Sequence, residues 1–269
     1  MKKMPLRLIL LAILIIILFS FYAAQVGNRN VGSKNSWYEP KMGASWQLQL
    51  AENVNTSYDV DLYDLDLVEI PQSAIDELHS RGIKVICYFS AGSWESFRTD
   101  ADNFPKEVIG KALEGWPDEN WLDISQYEKF AGIMRKRLDL AVQKKCDGVD
   151  ADNVDGYSND NGFNLTYLNQ LNYNKWLAGE AHKRNLSIAL KNDLNQVKDL
   201  ADYFDFAINE QCFYYDECIL LSPFIEKGKA VLGVEYALDA NDFCEEANSL
   251  NFSWLKMNRN LDGSRISCR

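Results

Sequence analysis

Histidine is almost missing from this 269-residue chain, which has only His79 and His182. An imidazole-rich zinc site or a Ser-His-Asp triad needs histidine where the reaction happens, so these two must be located before either chemistry is entertained. No GxSxG nucleophile elbow occurs. Positive charge is also scarce: 28 basic against 39 acidic side chains leave a net charge of −11. That balance argues against a sequence-blind nucleic-acid binder, whose affinity comes from clustered Lys and Arg, and suits a domain that meets a cationic partner. Glycine is absent where a dinucleotide-binding fold would place it, since LAENVNTSYD after the first strand candidate contains none.

Long hydrophobic runs are missing as well, with one exception. Lys2, Lys3 and Arg7 precede a run from Leu8 to Ala24 that only Ser20 interrupts. Residues 1–24 therefore read as a signal-anchor or signal peptide and stand outside the fold. The bulky Tyr22, three places before a cut after Ala24, favours an uncleaved anchor with its basic end cytoplasmic. Four Asn-x-Ser/Thr sequons, at Asn55, Asn164, Asn185 and Asn251, fit an extracellular or cell-surface domain. The six cysteines agree, with Cys212/Cys218 and Cys244/Cys268 plausible disulfides. Cys87 and Cys146 sit in apolar strand-like runs and are equally compatible with buried free thiols.

Residues 25–37 are polar and without apolar period, a linker, and residues 38–269 show no second break. Strand candidates lie at 44–49, 59–68, 83–90, 147–152, 186–190, 204–209, 229–235 and 252–257. Helical patterns lie at 72–81, 126–145, 166–184, 194–201, 216–227 and 241–250. Eight strands, most followed by a helix, predict an α/β fold: a single-domain (β/α)8 TIM-type barrel. Two irregularities stand out, since no helix fits between the first two strands and the tail from Asn258 is too short for a regular eighth helix.

In such a barrel the C-terminal ends of the strands line the active-site mouth. That rule gathers Asp64 and Asp66 from the second strand and Tyr88, Trp94 and Glu95 from the third. Asp150, Asp152, Asn153, Asp155 and Tyr157 follow from the fourth, Lys191 and Asn192 from the fifth, Glu210 from the sixth, and Glu235 and Tyr236 from the seventh. Carboxylates interleaved with aromatic rings suit a sugar-cleaving cleft: rings stack on pyranose faces and two carboxyl groups divide the acid and nucleophile or base roles. Three aspartates crowd GVDADNVDGY and need compensation. A calcium loop fails there because Val154 stands where an oxygen ligand is needed and Asn161 where the bidentate Glu belongs; a divalent ion of another type is the lesser alternative, and the reading adopted has no metal and no cofactor. Both histidines fall on helices, away from the mouth, which leaves a two-carboxylate mechanism. Asp152 and Glu210 face one cavity; Lys191 beside Asp152 is expected to keep it ionised, and the apolar run before Glu210 to keep that residue protonated.

The ordered motifs VICYFSAGSWESFR, WLDIS, GVDADNVDGY, ALKND, FDFAINEQC with YYDEC, and GKAVLGVEY resemble glycoside hydrolase family 114, the endo-α-1,4-polygalactosaminidase family, over about Ser45 to Arg269. The resemblance implies a (β/α)8 barrel that cleaves α-1,4-linked, partly deacetylated and hence cationic galactosamine polymers. By motif it assigns the catalytic pair to Asp152 and Glu210 and the other residues named above to substrate binding; analogy with other α-retaining barrels makes Asp152 the nucleophile and Glu210 the acid/base. A non-catalytic domain that holds a cationic polysaccharide at the cell surface is the alternative. Membrane attachment is expected only through the N-terminal anchor, and a monomer is the default state.

Overall fold

The computed structural model of the protein describes residues 37–51 and 53–269. The expected targeting segment 1–24 and all but Trp37 of the expected linker lie outside the described residues. Trp37 itself is packed: its indole stacks on His182 at 4.3 Å between ring centroids and donates to Asp205. No helix among the described residues is long and apolar enough to cross a membrane.

Strands β1 (Trp46–Gln49), β2 (Leu62–Asp66) and β3 (Lys84–Ser90) open a parallel sheet. An excursion follows, in which β4 (Ser93–Glu95), β5 (Ile109–Leu113) and β6 (Trp116–Leu122) form a small antiparallel sheet of their own. The parallel sheet resumes with β7 (Gly148–Asp152), β8 (Ser187–Lys191), β9 (Phe206–Glu210), β10 (Val231–Glu235) and β11 (Ser253–Met257). A ninth strand, β12 (Arg265–Ser267), pairs antiparallel with β11. The eight parallel strands curl into a TIM-type barrel, as the strand count predicts.

Alternation along each strand divides the core in two. In β3, Val85, Cys87 and Phe89 join the large cluster under the helices, while Ile86 joins Trp46, Leu62, Phe206, Ile208, Leu232, Val234 and Leu255 inside the barrel. This inner plug is apolar toward the N-terminal ends of the strands and becomes polar toward their C-terminal ends. The outer layer holds α1 (Gln72–Ser80), α2 (Ala131–Lys144), α3 (Tyr167–His182), α4 (Val197–Leu200), α5 (Ser222–Glu226) and α6 (Ala240–Ser249). Thr166 and Asn169 start α3 with a reciprocal capping box, an arrangement that stabilises a helix end by about 1 kcal/mol.

No strand pairing joins β1 to β11. The tail crosses that seam instead: Leu261 O accepts from the backbone N–H groups of Leu50 and Ala51. Gly263 O accepts from Gln47 Nε2, and Arg265 donates to Gln47 Oε1. The expectation that the tail is too short for a helix thus resolves into a strand that helps close the barrel.

All six cysteines are paired, Cys87 with Cys146, Cys212 with Cys218 and Cys244 with Cys268. The first bridge ties β3 to the turn before β7, which decides the question the sequence left open for Cys87 and Cys146. Both histidines hold aspartates that precede strands. His79 on α1 meets Asp147 at 2.8 Å and His182 on α3 meets Asp205 at 2.9 Å, at the end of the barrel opposite the mouth.

Candidate active site

The inward-facing positions near the strand ends bring Asp152, Lys191 and Glu210 together at the bottom of an open cleft of about 740 Å³. Lys191 Nζ lies 3.2 Å from Asp150, 3.5 Å from Asp152 and 4.0 Å from Glu210, with the Tyr88 ring 5.5 Å away. Burial works to strip the proton from this lysine, but the surrounding carboxylates more than reverse it and hold the ammonium far above the ordinary lysine range. The shared ammonium limits the separation of Asp152 Oδ1 and Glu210 Oε2 to about 7.5 Å, a bound met both by the ~5–5.5 Å of a retaining pair and by the lower end of the ~6.5–9.5 Å inverting range.

Asp152 and Glu210 are each also held by a tyrosine. Tyr88 donates to Asp152 Oδ2 at 3.0 Å and Tyr236 to Glu210 Oε1 at 2.5 Å. Burial, helped by these carboxylates, pushes both phenols above their usual range, so they act as fixed donors. Asp152 further accepts from the backbone N–H of Asn153, and Glu210 from Asn192 Nδ2. Asp152 is the deeper of the two, its side chain 17% exposed against 29% for Glu210.

Three adjacent strands end abruptly beyond these residues. Asn153, Asn192 and Gln211, each next in sequence to Asp152, Lys191 or Glu210, adopt φ values of 61°, 51° and 66°. Left-handed backbone disfavours side chains other than glycine and asparagine, and it turns the chain sharply away from the mouth. The turn after Asp152 is gripped from behind. Gly92 donates to Asp152 O, and a Cβ at Gly92 would stand 1.7 Å from the Asn153 carbonyl oxygen. Asn153 Nδ2 in turn donates to Ser90 and Ser93, and Ser93 to Glu119.

Of the residues expected at the mouth, Asp66, Tyr88, Glu95, Asp152, Asn153, Asp155, Lys191, Asn192 and Glu210 line the cleft. Asp66 and Glu95 are clamped there by Arg98, with Arg137 also on Glu95. Asp155 is pushed up to about 6 by burial and by Asp152. Tyr236 reaches the site through its hydroxyl.

Five other residues lie elsewhere. Asp64 and Asp150 are fully buried beneath the floor. Glu235 stands on the outward face of β10, where its carboxylate accepts from the Phe213 backbone N–H, because Val234 and Tyr236 occupy the inward positions. Trp94 turns its indole to the Ala101 carbonyl, and Tyr157 stands edge-on to Tyr167.

The β4–β6 excursion, which the strand-end rule does not cover, contributes Lys111, Glu114, Trp116, Glu119 and Trp121 to the cleft. Its sequence signal was the aromatic and acidic spacing of WPDENW. Glu119, largely buried, is pushed up to about 7. Altogether nine carboxylates and four cationic side chains line the cleft. Buried carboxyl groups raised in this way flank Asp152 without cations of their own, a setting that attracts a positively charged ligand.

No curated protein matches the sequence at a significant level. Among solved structures, Aspergillus fumigatus Ega3, crystallised in complex with galactosamine, is 40% identical with a TM-score of 0.83, covering 88% of this chain and 99% of that one. The glycoside hydrolase domain of PelA from Pseudomonas aeruginosa shares the fold at 13% identity and a TM-score of 0.67, over 83% of this chain and 98% of that one. Eubacterium rectale Amy13B shares it more loosely, at 11% identity and a TM-score of 0.52, over 82% and 67% of the two chains. Residues 27–269 match the glycoside-hydrolase family GH114, so the chain belongs to that family and is a glycoside hydrolase.

Proposed function

We propose that the protein is an endo-glycosidase that hydrolyses α-1,4-linked galactosamine polymers, partly deacetylated and therefore cationic, by a two-carboxylate retaining mechanism. The observation that carries this reading is the pair Asp152 and Glu210 facing one buried ammonium at the bottom of an open, carboxylate-rich cleft. Similarity to a structure crystallised with galactosamine supports the sugar, and the excess of acidic side chains supports its positive charge.

Asp152 attacks the anomeric carbon and forms a glycosyl ester, while the bond to the leaving oxygen breaks and that oxygen takes the Glu210 proton. Glu210 then removes a proton from water, which attacks the same carbon and frees Asp152. The deeper position of Asp152, beside Lys191 and under the Tyr88 hydroxyl, suits the nucleophile. The more exposed Glu210 suits a group that exchanges protons with a leaving sugar and with water.

Digestion of defined α-1,4-galactosamine oligomers tests this. New reducing ends of α configuration, and folded but inactive Asp152→Asn and Glu210→Gln variants, are the expected result. Products of β configuration refute retention, and salt-sensitive binding without cleavage refutes catalysis in favour of a polysaccharide-holding domain. We further assign the enzyme, acting as a monomer, to the cell surface or the extracellular space, attached by or released from residues 1–24. Three disulfides support an oxidising compartment, and N-terminal sequencing of the mature protein distinguishes anchor from cleaved signal.

A further inference from the structure

Beneath the catalytic pair, three buried oxygens have no N–H or O–H donor: both of Asp64 and Oδ1 of Asp150. Both residues are 0% exposed. Asp64 points from β2 into the barrel, where the Asp150 charge is close enough to help raise it. Two ionised carboxylates sealed side by side with no donor between them repel each other, and one shared proton relieves both costs. The other Asp150 oxygen, Oδ2, accepts from Lys191 Nζ at 3.2 Å. Asp150 therefore has a cation and Asp64 has none.

We propose that Asp64 is held permanently protonated and donates to Asp150 Oδ1, fixing Asp150 as the anion that seats the Lys191 ammonium between Asp152 and Glu210. Asp64 and Asp150 are then positioning residues: they act through Lys191 and touch no sugar. The charges in the barrel support the arrangement. The ionisable groups facing this point are Tyr88 from β3, Asp150 and Asp152 from β7, Lys191 from β8, Glu210 from β9 and Tyr236 beyond β10. Inward neighbours on β1 and β3 are the apolar Leu48 and Ile86. One ammonium cannot offset four carboxylates in such surroundings, and the proton on Asp64 removes one of them. Burial and the Asp150 charge push Asp64 well above the ordinary carboxyl range, whereas Asp150, with Lys191 opposing its burial, rises only to about 6.

The proton belongs to the fold, while its consequence for rate rests on the glycosidase reading, and the two are tested separately. Difference infrared spectra of wild type against Asp64→Asn at about pH 8 read the proton directly. The difference spectrum shows a protonated-carboxyl carbonyl stretch that wild type has and the variant has lost, over and above that of Asp193, itself raised to about 9; absence of that difference band overturns the proposal whatever the enzyme cleaves. In cleavage of galactosamine oligomers, Asp64→Asn keeps the donor to Asp150, so kcat stays within about threefold with an unshifted acid limb. Asp64→Leu removes the donor, lowers kcat about tenfold or more and moves the acid limb upward. An Asp64→Asn enzyme as inactive as Asp152→Asn, or an Asp64→Leu enzyme with the wild-type pH profile, overturns the positioning role.

Discussion

Replacing Lys191 with methionine removes the ammonium that three carboxylates share while nearly preserving side-chain length. At separations of 3.2, 3.5 and 4.0 Å, and an effective dielectric constant of about 20, each ion pair is worth about 4–5 kcal/mol gross. Burying the ammonium offsets much of that sum, so the net loss on breaking the site is about 3–5 kcal/mol. The loss depends on pH. Asp150 already sits at about 6 in the folded protein, above its ordinary value of 3.8. A carboxyl raised on folding favours the fold at low pH, and that contribution disappears as pH rises through the folded value. Without Lys191 the folded value moves higher still, so the extra penalty falls above about pH 6 and grows by roughly 1.4 kcal/mol per pH unit for each proton involved. Urea unfolding of wild type and Lys191→Met with disulfides intact, at about pH 5 and about pH 8, measures this. The expected destabilisation is about 3–5 kcal/mol at the higher pH and smaller by at least about 1.4 kcal/mol at the lower. Equal destabilisation at both pH values, or less than about 1 kcal/mol at pH 8, refutes the electrostatic account of the site.

Three further outcomes follow from other parts of the molecule. Glu119, raised from 4.5 to about 7 by burial, favours the fold below about pH 4.5 and loses that contribution as pH rises through 7. Thermal melts of Glu119→Gln should therefore decline less across that window than those of wild type. Gly92→Ala drives a methyl group into the Asn153 carbonyl and should lower kcat about 100-fold by displacing the turn that carries Asp152, with KM less affected; an unchanged kcat removes the close approach from the argument. The bridges rank by the chain they enclose. Loss of Cys87–Cys146, separated by 59 residues, should cost about 4 kcal/mol, against about 2 kcal/mol for Cys212–Cys218, separated by 6, as denaturant midpoints of the double-alanine variants will report.

Each of the eight parallel strands was legible within two or three residues at either end, because a barrel strand buried on both faces reads as a short apolar run between turn residues. The β4–β6 excursion was not, since residues 109–122 are largely exposed, contain a proline and bury few side chains. In the site, the strand-end rule found Asp152, Lys191 and Glu210 because each occupies the last position of its strand. It failed for Glu235, also a last position, because β10 is out of phase by one residue and an alternating strand then points its final carboxylate at the helices. It also could not separate depth: Asp64 and Asp66 share a face two residues apart, yet one is sealed under the floor and the other lines the cleft. Arg98 and Arg137, which hold Asp66 and Glu95, lie on segments that no strand-end argument reaches.

The tail that crosses the seam imposes an order on how the enzyme comes into being. Residues 1–257 contain every group that touches the proposed reaction, yet the gap between β1 and β11 remains until residues 258–267 are made and Leu261, Gly263 and Arg265 bond across it. Arg259, Asn260 and Leu261 also form part of the cleft wall. A chain emerging from the ribosome therefore exposes an open-edged sheet and an unfinished cleft wall until residues 258–267 have been made. Pairing of Cys244 with Cys268 then records that event covalently, so formation of this disulfide is a chemical timestamp for the crossing of the seam.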